Sequence, residues 1–202
     1  FGKAYGQKIS GEVFKNGQKI DVSNVGKAIA NGIAYATEDR KHFGLNLIDH
    51  IKNNTTIANL TGVSRWGVID DLAELDVAND YRKKTNIRSS SVYQVTGNLS
   101  GGNQQKVVLS KWLYANPDVL ILDEPTRGID VGAKYEIYTI INQLAAQGKA
   151  ILVISSEMPE LLGITDRLYV MNEGRIVGEM PTNEASQEKI MRSIVRAEGK
   201  AS

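Results

Sequence analysis

The sequence predicts an α/β domain organised around a mostly parallel sheet, and three observations lead there. From Asn103 onward, helical and strand stretches alternate: helix Asn103 to Ala115, strand Val119 to Asp123, helix Val131 to Ala146, strand Ala150 to Ile154, helix Glu157 to Gly163, strand Arg167 to Met171. Strands separated by helices pair in parallel and are covered on both faces. The run VLILD is apolar until it meets the pair Asp123-Glu124, as in a strand buried on both faces whose carboxylates emerge at its C-terminal end. A chain of 202 residues can also bury roughly 70% of its unfolded surface, enough for one large domain or two small ones.

The remaining elements follow in order. Asn16-Gly17 lies between two short alternating runs and signals a β-hairpin, because a type I′ turn needs positive φ at both central residues. Ser23 is placed to cap a helix through NVGKAIANG that Gly32 ends. IAYAT, Ile33 to Thr37, reads as a short buried strand followed by the charged cluster Glu38-Asp39-Arg40-Lys41. Residues 45–98 change character: rich in Asn, Thr, Asp and Lys, they read as a helical insertion with no strand of obvious length, bounded by the loop SSSVYQVTGN. Near the C-terminus, Asn172 to Gly174 turns the last strand back into RIVGE, and a helix near Glu184 to Val195 closes the chain.

Composition excludes several function classes. Lys plus Arg number 24 against 23 Asp plus Glu, so the net charge of +1 leaves no electrostatic footprint for nucleic acid or an anionic bilayer. There is no Cys, hence no disulfide and no thiolate metal site, and a reducing compartment is expected. His42 and His50 have no ligand pattern for zinc. No apolar run approaches the ~20 residues that span a bilayer. Phe1 opens neither a signal peptide nor a chain with an initiator Met. The expectation is a soluble piece of something longer.

Two stretches carry chemistry. Ligands bind at the C-terminal edge of open α/β sheets. There Asp123 suits a magnesium ion, held through an oxygen or a water. Glu124 suits the orientation or deprotonation of an attacking water. The plain alternative is an acidic pair that caps a buried strand before a proline turn. In LSGG, Ser100 is a good N-cap, and Gly101 and Gly102 let a bulky anion approach the amides of a helix start. Its plain alternative is a flexible loop before an ordinary helix. No phosphate-binding loop G-x-x-x-x-G-K-[ST] occurs.

Together the stretches say more. LSGGNQQKVVLSKWLYANPDVLILDEPTRGIDV resembles the signature motif, Walker B strand and D-loop of ATP-binding cassette (ABC) ATPases, contiguously over more than thirty residues. AILVISSEMPELLGITDRLYVMNEGRIVGE resembles their switch region and final strands, and GIAYATEDRKHFGLNL their Q-loop segment. The EDRK and LSGGNQQK variants are similar to the second cassette of bacterial monosaccharide importers of the ribose, xylose and galactose type. ISGEVFKNGQ and ANGIAYATEDRK favour the branch serving several sugars. The likeness covers nearly the whole chain.

The resemblance implies a P-loop NTPase-like ABC fold, truncated before or at the Walker A region, in a parent of roughly two tandem cassettes. Residues 1–44 would belong to the nucleotide-binding core, 45–98 to a helical subdomain with a groove for a permease helix, and 99–202 to the signature, Walker B and switch regions. It implies ATP and magnesium as cofactors. It implies as partners a second cassette docked head to tail, permease subunits and, indirectly, a periplasmic sugar-binding protein, at the cytoplasmic membrane face. Ser100, Gly101, Gly102, Asn103 and Gln104 would then contact ATP held by the other cassette, alongside Asp130 of the D-loop. Three positions depart from the common pattern: Glu38 where a glutamine is usual, Ser156 at the switch histidine, and Asn103 at the first signature Gln. A carboxylate near phosphate adds repulsion unless it is paired; the departures point either to a weakly hydrolysing site whose signature serves a partner or to substitutions tolerated within this importer subgroup.

Overall fold

The computed structural model describes residues 10–198 and resolves into two compact units, one ending at Ile154 and the other beginning at Ser155. Phe1 to Ile9, including most of the stretch before the hairpin, lies outside the described residues.

The first unit opens on a hairpin of β1 (Val13–Lys15) and β2 (Gln18–Ile20), joined through Asn16 and Gly17 at φ 51° and 77°, as the turn chemistry predicts. Helix α1 (Val25–Ala30) follows, but its cap is Asn24, whose Oδ1 accepts from the Lys27 amide at 2.9 Å. Ser23 sits one residue too early and gives its own amide to Asp21. Gly32, at φ 72°, ends the helix and leads into β3 (Ile33–Ala36).

β3 pairs in parallel with β6 (Val119–Asp123), which pairs in parallel with β7 (Ala150–Ile154); β6 is the central strand. Helix α4 (Gly101–Tyr114) packs on β3, and α5 (Val131–Ala146) packs on both α4 and β7. Leu120 and Leu122 of β6 are buried with Val107, Val108, Leu109 and Ile137. The expectation of two covered faces fails here: Ile121 is only half-buried, and Leu152 and Ile154 on β7 are 49% and 45% exposed. An apolar run records that a strand has hydrophobic side chains on both faces, not that both faces are covered.

Residues 45–98 hold α2 (Ile51–Thr56), a 3₁₀ segment, and α3 (Asp71–Lys84), with Asp70 accepting from the amides of Leu72 and Ala73. They also hold a small hairpin the sequence did not announce, β4 (Ser64–Arg65) and β5 (Val68–Ile69), turned by Trp66 and Gly67 at positive φ. Two-residue strands give no alternating pattern to detect.

The second unit, described by itself, contains α6 (Met158–Ile164), β8 (Arg167–Asn172), β9 (Arg175–Pro181) and α7 (Gln187–Glu198). β8 does not join the parallel series. It pairs antiparallel with β9 through Glu173 and Gly174 at φ 47° and 75°, with a register shift at Val170/Met171. Leu168, Val170 and Ile190 form its core. No helix among the described residues is long and apolar enough to cross a membrane.

Candidate functional site at the ends of the parallel strands

The C-terminal ends of β3 and β6 bring together residues far apart in sequence. Asp123 closes β6, and its Oδ2 accepts a hydrogen bond of 2.6 Å from the hydroxyl of Tyr35 on β3. One donor fixes the rotamer and leaves the other carboxylate oxygen to face a ligand, an arrangement suited to a hard cation that keeps waters and phosphate oxygens as its other ligands. Among the described residues there is no cluster of three or more His, Asp or Glu that could hold a metal without such help.

Glu124 leaves the strand. Its amide still donates to the Ile154 carbonyl at 2.8 Å, but its φ is 46°, in the left-handed region. For a non-glycine residue this costs of order 1–3 kcal/mol and persists only where the surroundings enforce it, commonly at functional sites. The turn continues with Arg127 N donating to Glu124 O at 3.1 Å, a buried Thr126, and Gly128 at φ 68°. Asp130 then caps α5, its Oδ1 accepting from the Ala133 amide at 3.0 Å.

Helix α4 starts at Gly101, two residues before the expected Asn103. Ser100 occupies the cap position, but its side chain caps no amide; its Oγ accepts from Asn103 Nδ2 at 3.0 Å. The first turn therefore keeps amides without a side-chain cap, where the helix dipole is positive. The expected opening at the two glycines is filled from within the chain. A Cβ on Gly101 would stand 2.8 Å from a guanidinium nitrogen of Arg40 and 3.1 Å from Gly128 O; one on Gly102 would stand 2.6 Å from the Ala133 methyl. Both glycines serve close packing of the helix start against its neighbours. Asn103 Oδ1 accepts from the Arg88 amide. Gln104 is buried, its Nε2 donating to Leu99 O at 3.2 Å while its buried Oε1 has no hydrogen-bond partner. Gln104 is turned inward, whereas Asn103 is half-buried and held between the Arg88 amide and Ser100 Oγ.

Glu38, just beyond β3, forms an ion pair with Arg127, so the carboxylate expected to repel phosphate carries its own counter-charge. Arg40 NH1 donates to Arg127 O at 3.0 Å. Ser156 belongs to the second unit, where the adjacent Ser155 donates to Glu160 and accepts from the Glu157 amide. Sequence reasoning named Asp123 and Glu124 as candidates and did not name Tyr35, Arg40 or Arg127, which the structure sets beside them. The one available signal was a tyrosine in a strand otherwise of Ile and Ala.

With this geometry in place, comparison with known proteins is decisive. The chain matches the ABC transporter family over residues 4–127. It belongs to that family. It is 61% identical over 196 residues to the L-arabinose transport ATP-binding protein of Geobacillus stearothermophilus, covering 97% of this chain and 38% of that protein. It is 53% identical over 192 residues to the xylose import ATP-binding protein of Geobacillus kaustophilus, covering 95% and 38%. The ribose import ATP-binding protein of Clostridium tetani is 47% identical over 193 residues, covering 94% and 38%. The chain therefore spans about 38% of the length of these relatives. Among solved structures, an ATP-binding cassette of an ABC transporter superposes with a TM-score of 0.74 at 22% identity, covering 92% of this chain and 77% of that one. A dimeric cassette bound to ADP and Pi superposes at 0.69 and 18% identity, covering 86% and 74%. At such identities these two share the fold, that of an ABC cassette.

Proposed function

We propose that this ABC chain is part of the ATP-hydrolysing subunit of a monosaccharide importer. What carries the reading is the strand-end pair: Asp123 oriented by Tyr35, and Glu124 held at positive φ beside it. The sugar-import relatives support the substrate class.

Magnesium, when bound with ATP, neutralises phosphate charge. Asp123 is the carboxylate that would hold it, directly or through a water. Glu124 orients the attacking water and takes its proton. The uncapped start of α4, at Ser100, Gly101 and Gly102, faces ATP bound by a second cassette docked head to tail, with Asp130 in the adjoining loop; Asn103 and Gln104 support that start from inside. Glu38 and Ser156 take the Q-loop and switch positions, and the Glu38–Arg127 pair removes the charge objection to the former. Residues 1–44 and 99–202 form the nucleotide-binding core, and 45–98 form a helical subdomain that receives a permease helix at the cytoplasmic membrane face. A periplasmic binding protein delivers the sugar.

A second reading has its own support. Ser156 stands at the switch position, where a hydroxyl cannot serve as an imidazole contact to the terminal phosphate, so this cassette would serve as a coupling module that lends its signature to a partner's ATP. Glu124→Gln in the full-length transporter separates the two. A catalytic Glu124 predicts a fall in ATP turnover of about 10²-fold or more with nucleotide binding retained; unchanged turnover leaves only the coupling role.

A further inference from the structure

Arg40 is oddly placed for a surface cation. It opens a π-helical turn, Arg40–Gly44, capped by Asp39. Asp39 is committed to that cap and to His42: its carboxylate accepts from the amides of Lys41 and His42, both at 3.1 Å, and contacts His42 Nδ1 at 2.7 Å. Among the described residues no carboxylate forms an ion pair with Arg40. Its guanidinium runs instead to neutral backbone: NH1 to Arg127 O, and NH2 into the space where Gly101 has no Cβ. Its Nε is buried with no hydrogen-bond partner, and burial draws its pKa down. The half-buried guanidinium has the charge of Asp39 near it but no bond to a carboxylate to offset its desolvation, and an apolar side chain would fill the same space more cheaply. The planar fork does something an apolar residue cannot: it grips one segment by hydrogen bond and another by shape.

The two segments are the start of α4 and the loop after β6. Arg127 is also held by its side chain on Glu38, so a short stretch after β3 reaches the loop twice and the helix start once. Gly128 O shares the Gly101 face, closing the contact.

We propose that Arg40 is a positioning residue that clamps the first turn of α4 to the loop after β6, so that the anion-facing helix start and the catalytic strand end keep one fixed spacing. The clamp rests on the functional reading above for its consequence in turnover, but not for its existence. Glycine at 101 leaves the guanidinium its seat, with Gly128 O 3.1 Å from the same point.

The test uses the full-length protein carrying Arg40→Met, with Arg40→Lys as a second variant that keeps the charge and loses the fork. Hydrogen exchange is read at the hydrogen-bonded amides of Gln104, on Ser100 O, and Arg127, on Glu124 O, with Leu120 to Leu122 as the internal reference. The expected result for Arg40→Met is roughly tenfold faster exchange in both segments and no change in the reference. Arg40→Lys shifts the same way with smaller amplitude and carries the test if Arg40→Met does not fold. Gly101→Ala alone reproduces the increase, and combined with Arg40→Ser adds nothing further, because the two changes break one contact. ATP turnover of Arg40→Met falls about tenfold in kcat, with KM within twofold. Exchange that rises in only one segment, or additive effects of Gly101→Ala and Arg40→Ser, overturns the clamp. A wild-type transporter that hydrolyses no ATP sinks the functional reading instead, and the exchange result still judges Arg40.

Discussion

Two lysine- or arginine-to-glutamate contacts in the first unit stand in opposite surroundings. Between α2 and α3, Lys52 and Glu74 pair with side chains only 8% and 6% exposed; Asp71 adds a second bond to the lysine at 2.7 Å, and Thr56 donates to Glu74 at 2.6 Å. Beyond β3 and β6, Glu38 and Arg127 pair with side chains 45% and 67% exposed. The buried network has every partner in place and fixes how two helices meet. The open one costs little to form or break, and it ties the segment after β3 to the loop after β6. Charge spent inside sets rigidity; charge spent outside sets position.

The largest effect is expected in the buried network. Glu74→Ala takes from the buried Lys52 ammonium its buried counter-charge, leaving the exposed Asp71, and returns the Thr56 hydroxyl to the Lys52 and Asn53 carbonyls, so the loss should be about 2–3 kcal/mol in urea unfolding. Replacing both members, Lys52→Met with Glu74→Leu, should recover most of it, because two matched apolar groups need no desolvation. Equal losses in the single and double variants would show that helix packing, not the stranded charge, carries the cost.

Lys111 offers an intermediate case, a buried cation with no carboxylate partner among the described residues. Its Nζ donates to Gly44 O at 2.6 Å and lies 4.6 Å from the Trp112 ring centroid, and burial pulls its pKa down to about 8 from 10.5. Over that window the unfolded chain binds the proton and the folded chain does not, so folding stability rises with pH, by about 1.4 kcal/mol per unit from this group. Below pH 8 both states are protonated and the full cost of burying the charge is present. Lys111→Met should remove this slope between pH 8 and 10. Parallel stability profiles for wild type and variant would mean that the ammonium reaches water.

These three sites also show what a sequence can disclose. Helix α5 spans Val131–Ala146 as expected, because Asp130 caps it and Gly148, at φ 83°, follows its end; both signals are local. β6 and β7 likewise carry their patterns within five residues. Asp123 and Glu124 were legible because a strand-end acid pair is itself a short motif. Tyr35 and Arg40 were not: their partners lie 88 and 87 positions away. Nothing local announces that a tyrosine will meet an aspartate across a parallel register. The cap of α1 shows a subtler limit. Ser23 and Asn24 are both good capping residues, and only the chain's path from β2 chooses the second.

The smallest effect on stability, and the sharpest on the comparison, belongs to Glu38 and Arg127. An exposed pair is worth at most about 1 kcal/mol, so Glu38→Gln and Arg127→Gln should each leave urea unfolding within that range. If the pair serves to place the loop after β6, each single change should still lower ATP turnover in the full-length transporter. The reversal, Glu38→Arg with Arg127→Glu, should restore part of it, since the contact returns with its polarity exchanged. Added salt should weaken the wild type toward the single variants while leaving the Lys52–Glu74 network untouched, because screening reaches the open pair and not the buried one. Turnover that falls for Glu38→Gln alone and is not restored by reversal would instead mean that the carboxylate itself faces the reacting phosphate. Arg127 would then be a counter-charge that keeps Glu38 tolerable there, not a partner that holds it in place.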